Sequence, residues 1–191
     1  VFVLGIDPGL SRCGYCCLEV RGRTTRAVAI GVLRTPPELG VPERLARLQL
    51  GVRQLLVDHA PSAVAVERVL FQVNVRTAMS VGQASGIVMA EAVHHGASVT
   101  EYSPNQVKEA VTGWGSAPKA QVQDMVQALL ALERRPEPAD AADAAAVALC
   151  HVAMAPLAGA AAGRPGAGAA GVVRNRVRRV APAATARRSS P

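Results

Sequence analysis

Asp7, Glu67, Asp140 and Asp143 are the residues whose types and positions can carry chemistry. Asp7 follows VFVLGI and Glu67 follows AVAV, so each carboxylate ends an apolar stretch. A charge buried there without a partner would be costly. Asp140 and Asp143 lie three apart in ADAADAAAVAL, a spacing that puts both on one face of a helix. Repulsion at that spacing disfavours the helix by a few tenths of a kcal/mol unless something neutralises it. Oxygen-only donors suit Mg²⁺ or Mn²⁺ rather than zinc. Two such ions, about 4 Å apart, can activate a water and stabilise the leaving oxygen in phosphodiester cleavage. For Asp7 or Glu67 taken alone, a surface position at a strand end is an equally good reading. Helix capping accounts comfortably for one of the paired aspartates and less well for both.

Other chemistries find less support. His59, His94, His95 and His151 show no metal-ligand spacing, and no G-x-x-x-x-G-K phosphate loop occurs. Cys13 and Cys16 have C-x-x-C spacing, but no second pair follows to complete a zinc site. With Cys17 and Cys150 they read as small buried thiols in a reducing compartment.

The elements that must position the carboxylates follow from apolar periodicity. Val1 to Asp7 reads as a buried strand stopped by Pro8 and Gly9. Gly14–Val20 and Thr25–Leu33 form a hairpin around Arg21-Gly22-Arg23. Leu45, Leu48, Val52, Leu55 and Leu56 follow helical spacing from Glu43 to about His59. A strand over Ala63–Val66 then ends at Glu67. A long helix from Val75 to His94 contains Gly82, Ala84, Ser85, Gly86 and Ala90. Glycine costs a helix about 1 kcal/mol relative to alanine. So many small residues point to close packing, within the monomer or against another subunit. Ser98–Tyr102 reads as a fifth strand and Pro104–Val111 as a short helix. Val122, Met125, Val126, Leu129 and Leu130 mark an amphipathic helix, with Ser116 or a neighbour as its cap. The last helix is expected over about Ala139 to Ala155. The result is a mixed α/β fold with helices covering a sheet. If the strands ending at Asp7 and Glu67 are parallel neighbours, both carboxylates emerge at one sheet end, where such folds bind ligands.

The 191 residues suffice for one core, half of the composition being apolar and only 3% aromatic. No apolar run approaches the roughly 20 residues of a membrane span. Nor does VFVLGID resemble a signal peptide, so a cytoplasmic protein is expected. The net charge of +7 is unevenly placed. Beyond residue 157 there are no acids, but Arg164, Arg174, Arg176, Arg178, Arg179, Arg187 and Arg188 all occur. The remaining 14 basic residues balance 14 acidic ones, so the high pI belongs to this segment. The expected division is a folded domain over 1–157 and an Ala/Gly/Pro/Arg-rich tail over 158–191. The tail composition offers too little apolar surface to offset its ordering entropy.

GIDPGLSRCGY at 5–15, AVERVLFQVN at 65–74, SVGQASG at 80–86 and ADAADAAAVA at 139–148 closely resemble the RuvC family. These are bacterial Holliday junction resolvases. YSPNQVKEAVTGWGSAPKAQVQDMV at 102–126 fits as well, and the similarity spans about 1–155 in matching order. The opening G-x-D-x-G is shared with actin-like ATPases and sugar kinases, whereas the full set is specific. The resemblance implies an RNase H-like fold with a mixed five-stranded sheet, and a homodimeric crossover junction endodeoxyribonuclease. Such an enzyme binds four-way DNA junctions in recombination and repair, and cuts two strands symmetrically to leave 5′-phosphates and 3′-hydroxyls. It implies Mg²⁺ as cofactor, two ions per subunit with Mn²⁺ as a substitute, held by Asp7, Glu67, Asp140 and Asp143. It also implies RuvA and RuvB as branch-migration partners. DNA contacts are implied at Lys108 and Lys119, with Arg68 and Arg76 as weaker candidates. The family's base-stacking position falls on Leu70, followed by Phe71. Either Phe71 takes that role through a local shift, or Leu70 acts as an apolar wedge. Pro118 stands where an acidic residue is more usual. The competing readings are an RNase H-like nuclease acting on structured RNA, and a non-catalytic junction-binding protein.

Overall fold

The computed structural model describes residues 1–68 and 75–161, apart from the side chains of 75–77 and 155–161. Strands β1 (Phe2–Asp7), β2 (Arg12–Arg21) and β3 (Thr24–Arg34) follow one another antiparallel. Helix α1 (Val41–His59) leads to β4 (Ala63–Glu67), and α2 (Val75–His94) leads to β5 (Ser98–Tyr102). Helices α3 (Pro104–Thr112), α4 (Lys119–Leu129) and α5 (Ala139–Ala161) complete the order. The sheet runs β3-β2-β1-β4-β5, with β4 parallel to both β1 and β5.

Strand alternation divides the core into two layers. Leu4 and Ile6 of β1 join Val64 and Val66 of β4 on the face covered by α1 and α2. The opposite face, with Cys16, Leu18 and Ala65, meets α3, α4 and α5. Few aromatics are needed because α5 packs through alanine. Ala141, Ala142, Ala144, Ala145, Ala146 and Ala148 are all buried, so its backbone lies close to the sheet. Glycine makes the approach possible. A Cβ on Gly5 would collide with the Ala144 carbonyl oxygen, and one on Gly14 with that of Asp140.

The expected strands and helices are all present, with differences at their ends. Helix α1 begins at Val41 rather than Glu43, because Pro42 fits the first turn of a helix. Ser116 does not cap α4. Pro118 occupies the N-cap, with extended backbone and no side-chain cap bond, while Ala117 is buried in the preceding turn. Helix α5 continues to Ala161, through Pro156 and beyond the expected end near Ala155. The residues from 162 onward lie outside the described chain. All four cysteines are free and buried, as their types suggested. No helix among the described residues is long and apolar enough to cross a membrane.

Candidate functional site

Alternation along β1 and β4 decides where the strand-end carboxylates point. Gly5 faces α5, so Asp7, two residues on, is directed to the same side. Ala65 and Glu67 stand in the same relation on β4. Because Ile6 pairs with Val66 in parallel register, Asp7 and Glu67 leave adjacent strand ends together. Helix α5 contributes the third and fourth acids. Its first turn lies over Gly14, the cross-strand partner of Asp7, and so brings Asp140 and Asp143 to this end of the sheet.

Asp7, Glu67 and Asp143 line one cavity of about 230 Å³ with Lys108 and Lys119, between apolar walls that include Val107 and Val122. Asp140 lines a larger neighbouring groove of about 860 Å³ that also reaches Asp7. Lys119, the first residue of α4, donates to Asp143 Oδ2 at 2.5 Å. Arg12 Nε lies 3.4 Å from Asp140 Oδ2. Asp7 and Glu67 have no hydrogen bond or ion pair among the described residues.

The electrostatics match this crowding. Burial, then repulsion from Glu67, Asp143 and Asp140, pushes the Asp7 carboxyl up to about 8, with Lys119 opposing. Burial and the Asp143 charge also raise Glu67, while Lys119 and Lys108 pull it down. Desolvation works against the Lys119 ammonium, but its hydrogen bond to Asp143 and the surrounding acids prevail and raise its pKa. The site is thus a partly dehydrated concentration of negative charge with too few cations.

An all-carboxylate donor set of this charge fits a hard divalent cation. The two unpartnered carboxylates, Asp7 and Glu67, are the observation that favours it. Among the described residues, no three acidic, imidazole or thiol groups yet close on one point as they stand. Asp140 and Asp143 are instead engaged by Arg12 and Lys119.

Of the DNA-contact candidates, Lys108 and Lys119 border the acidic cavity. Arg68 is exposed just beyond β4, its amide bonded to the Tyr102 carbonyl at 2.7 Å, and it does not line that cavity. Leu70 and Phe71 lie outside the described residues, as does the Arg76 side chain. Sequence reasoning passed over Arg12, although it stands five residues after Asp7 in the same motif. Its meeting with Asp140 depends on the docking of α5, which local pattern does not reveal.

Comparison with known proteins agrees with this architecture. Residues 3–151 match the family model described as crossover junction endodeoxyribonuclease RuvC. The protein of that name from Moorella thermoacetica is 48% identical over 156 residues, covering 82% of this chain and 93% of the relative. The Streptomyces griseus protein is 50% identical over 155 residues, covering 81% and 76% respectively. The structure of Thermus thermophilus RuvC in complex with Holliday junction substrate superposes with a TM-score of 0.78 at 37% identity. That match covers 82% of this chain and 96% of the Thermus chain, and establishes the RNase H-like sheet.

Proposed function

Because the chain belongs to the RuvC family of crossover junction endodeoxyribonucleases, we propose that it resolves four-way DNA junctions by metal-dependent phosphodiester hydrolysis. One observation carries the reading for this chain. Asp7, Glu67 and Asp143 converge at one sheet end beside Lys108 and Lys119, so anionic metal ligands adjoin cationic phosphate contacts.

In this reading Asp7, Glu67, Asp140 and Asp143 hold Mg²⁺, with two ions per subunit and Mn²⁺ as a substitute. When bound, the metal supplies Lewis acidity and lowers the pKa of a water. The protein's own groups do the rest. Asp7 and Glu67, fixed on adjacent strands, form the rigid side of the site. Lys119 holds the Asp143 carboxylate in place through its hydrogen bond, and together with Lys108 draws the substrate phosphate to the cavity edge. The apolar walls of Val107 and Val122 limit water and strengthen these interactions. Arg68 and Arg76 are further phosphate contacts. Leu70 or Phe71 is the residue that stacks on or wedges against an unpaired base.

A symmetric pair of cuts calls for two copies of the site, and α2 has a face suited to pairing. Exposed Met79 and Val93 share the helix side of Gly82 and Gly86, where an added Cβ would meet nothing within 4 Å. We assign this face to a homodimer. RuvA and RuvB are the partners that deliver the junction, and the cytoplasm is where this takes place.

The test is cleavage of an immobile four-way DNA junction with Mg²⁺ and with EDTA, mapping both nicks. Symmetric, ligatable nicks that require Mg²⁺ are expected. Preferential cutting of folded RNA would favour the RNA-directed alternative, and binding without cutting would favour a non-catalytic role.

A further inference from the structure

The two ends of the β2–β3 hairpin treat arginine differently. At the closed end, Glu19 accepts from both Arg21, at 2.8 Å, and Arg26, at 3.3 Å. At the open end, beside the Asp7 loop, the antiparallel register sets Arg12 directly opposite Arg34. Like charges facing each other across a strand pair are destabilising. Asp140 neutralises Arg12 alone, at 3.4 Å. Arg34 is exposed and has no hydrogen bond or ion pair among the described residues.

A third cation is built into the same rim. Arg44 of α1 is half-buried and donates from Nε to Thr35 Oγ1 at 2.9 Å and from Nη2 to Ser11 Oγ at 2.6 Å. Thr35 in turn donates to the buried Leu10 carbonyl at 2.6 Å. These partners are neutral, so the guanidinium is held in place without being discharged. Glu38 and Glu43, the nearest acids in sequence, form no ion pair with it among the described residues. Arg12 and Arg44 border the same 860 Å³ groove as Asp7 and Asp140, and Arg34 borders an adjoining one with Arg12.

We propose that Arg12, Arg34 and Arg44 form a second phosphate-contact rim for DNA, on the opposite flank of Asp7 from Lys108 and Lys119. Lys108 and Lys119 line the cavity that Asp7 shares with Glu67, whereas Arg12 and Arg44 line the groove that Asp7 shares with Asp140, so a strand crossing Asp7 meets cations on both sides. A phosphodiester between Arg12 and Arg34 relieves their repulsion, and guanidinium geometry suits its paired oxygens. The rim rests on the nuclease reading above.

The test is binding of full-length protein to a labelled four-way junction in EDTA, across a salt series. Each lost phosphate contact lowers the slope of log affinity against log salt by about 0.9. Arg34→Ala should lower it by about 1 and weaken binding several-fold, and Arg34→Glu should weaken it further. Arg23→Ala, an exposed arginine at the far end of the hairpin, should match wild type. Melting temperatures no lower than that of wild type would show that the weaker binding comes from lost DNA contact rather than from damage to folding, relief of the Arg12 repulsion acting if anything to raise them. Arg34 variants with the slope of Arg23→Ala would overturn the rim while leaving the nuclease reading intact. So would Arg34→Glu that splits the dimer at unchanged slope, which would assign the rim to a second copy of the chain. A wild type that neither binds nor cuts junctions would overturn both readings.

Discussion

Asp7 concentrates the site's conflict between stability and function. Its carboxyl is pushed up to about 8 by burial and by three neighbouring acids, whereas in an unfolded chain it ionises near its ordinary value of 3.8. Without metal, the folded state is favoured by protonation, and that advantage is lost as pH rises from about 4 through 8. Asp7→Asn removes the charge and retains the shape. In EDTA at pH 8 it should therefore melt above wild type, with the difference closing toward pH 4. The same variant should lose Mg²⁺-dependent cleavage by orders of magnitude while retaining junction binding. Normal cutting by Asp7→Asn would show that the site is wrongly assigned. A melting temperature no higher than that of wild type would show that Asp7 is not the strained group.

At the scale of elements, the approach of α5 to the sheet sets where Asp140 and Asp143 stand relative to the strand-end acids. A methyl group on Gly14 would drive into the Asp140 carbonyl oxygen, on backbone with little freedom to yield. Overpacking of this kind costs about 1–3 kcal/mol, with roughly 2–4 °C of melting temperature for each kcal/mol in a chain of this size. Gly14→Ala should thus lower the melting temperature by several degrees and reduce cleavage more than junction binding, measured side by side. Helices α1 and α2 are joined differently, through buried Glu91, which accepts from Gln49 at 2.6 Å and from Arg53 at 2.9 and 3.1 Å. Hydrogen bonds from Arg53 and Gln49 lower Glu91 to about 2. Its contribution is therefore present above the ordinary carboxylate range near 4.5 and lost as pH falls toward 2. Glu91→Ala should melt lower than wild type at pH 7, and acid titrations followed by circular dichroism should converge near pH 2. The strands ending at Asp7 and Glu67 were legible because apolar runs and their Pro or polar stops are local signals. The Arg12–Asp140 pair and the Glu91 cluster join residues 128 and 38 or more positions apart, through docking that no local period encodes. Ser116 shows the same limit on a smaller scale, since Pro118 decided where α4 began.

For the whole molecule, the distribution of charge separates two ways of holding DNA. Up to residue 157, basic and acidic residues balance, so under the proposed reading attraction there is local to Lys108, Lys119 and the arginines near Asp7. From 162 onward the sequence has seven arginines and no acid. Such a segment favours any polyanion, with little dependence on sequence or junction shape. Truncation after Ala161 should therefore weaken binding to plain duplex more than to four-way junctions. At about 0.9 per phosphate, loss of seven cations lowers the salt slope by up to about 6, compared with about 1 for Arg34→Ala. The cleavage positions on a junction should stay where they were, because the carboxylates proposed to define them are untouched. Equal salt slopes for truncated and full-length protein would leave DNA affinity to the folded part alone. A shift in the cleavage positions would instead give the basic segment a part in aligning the junction.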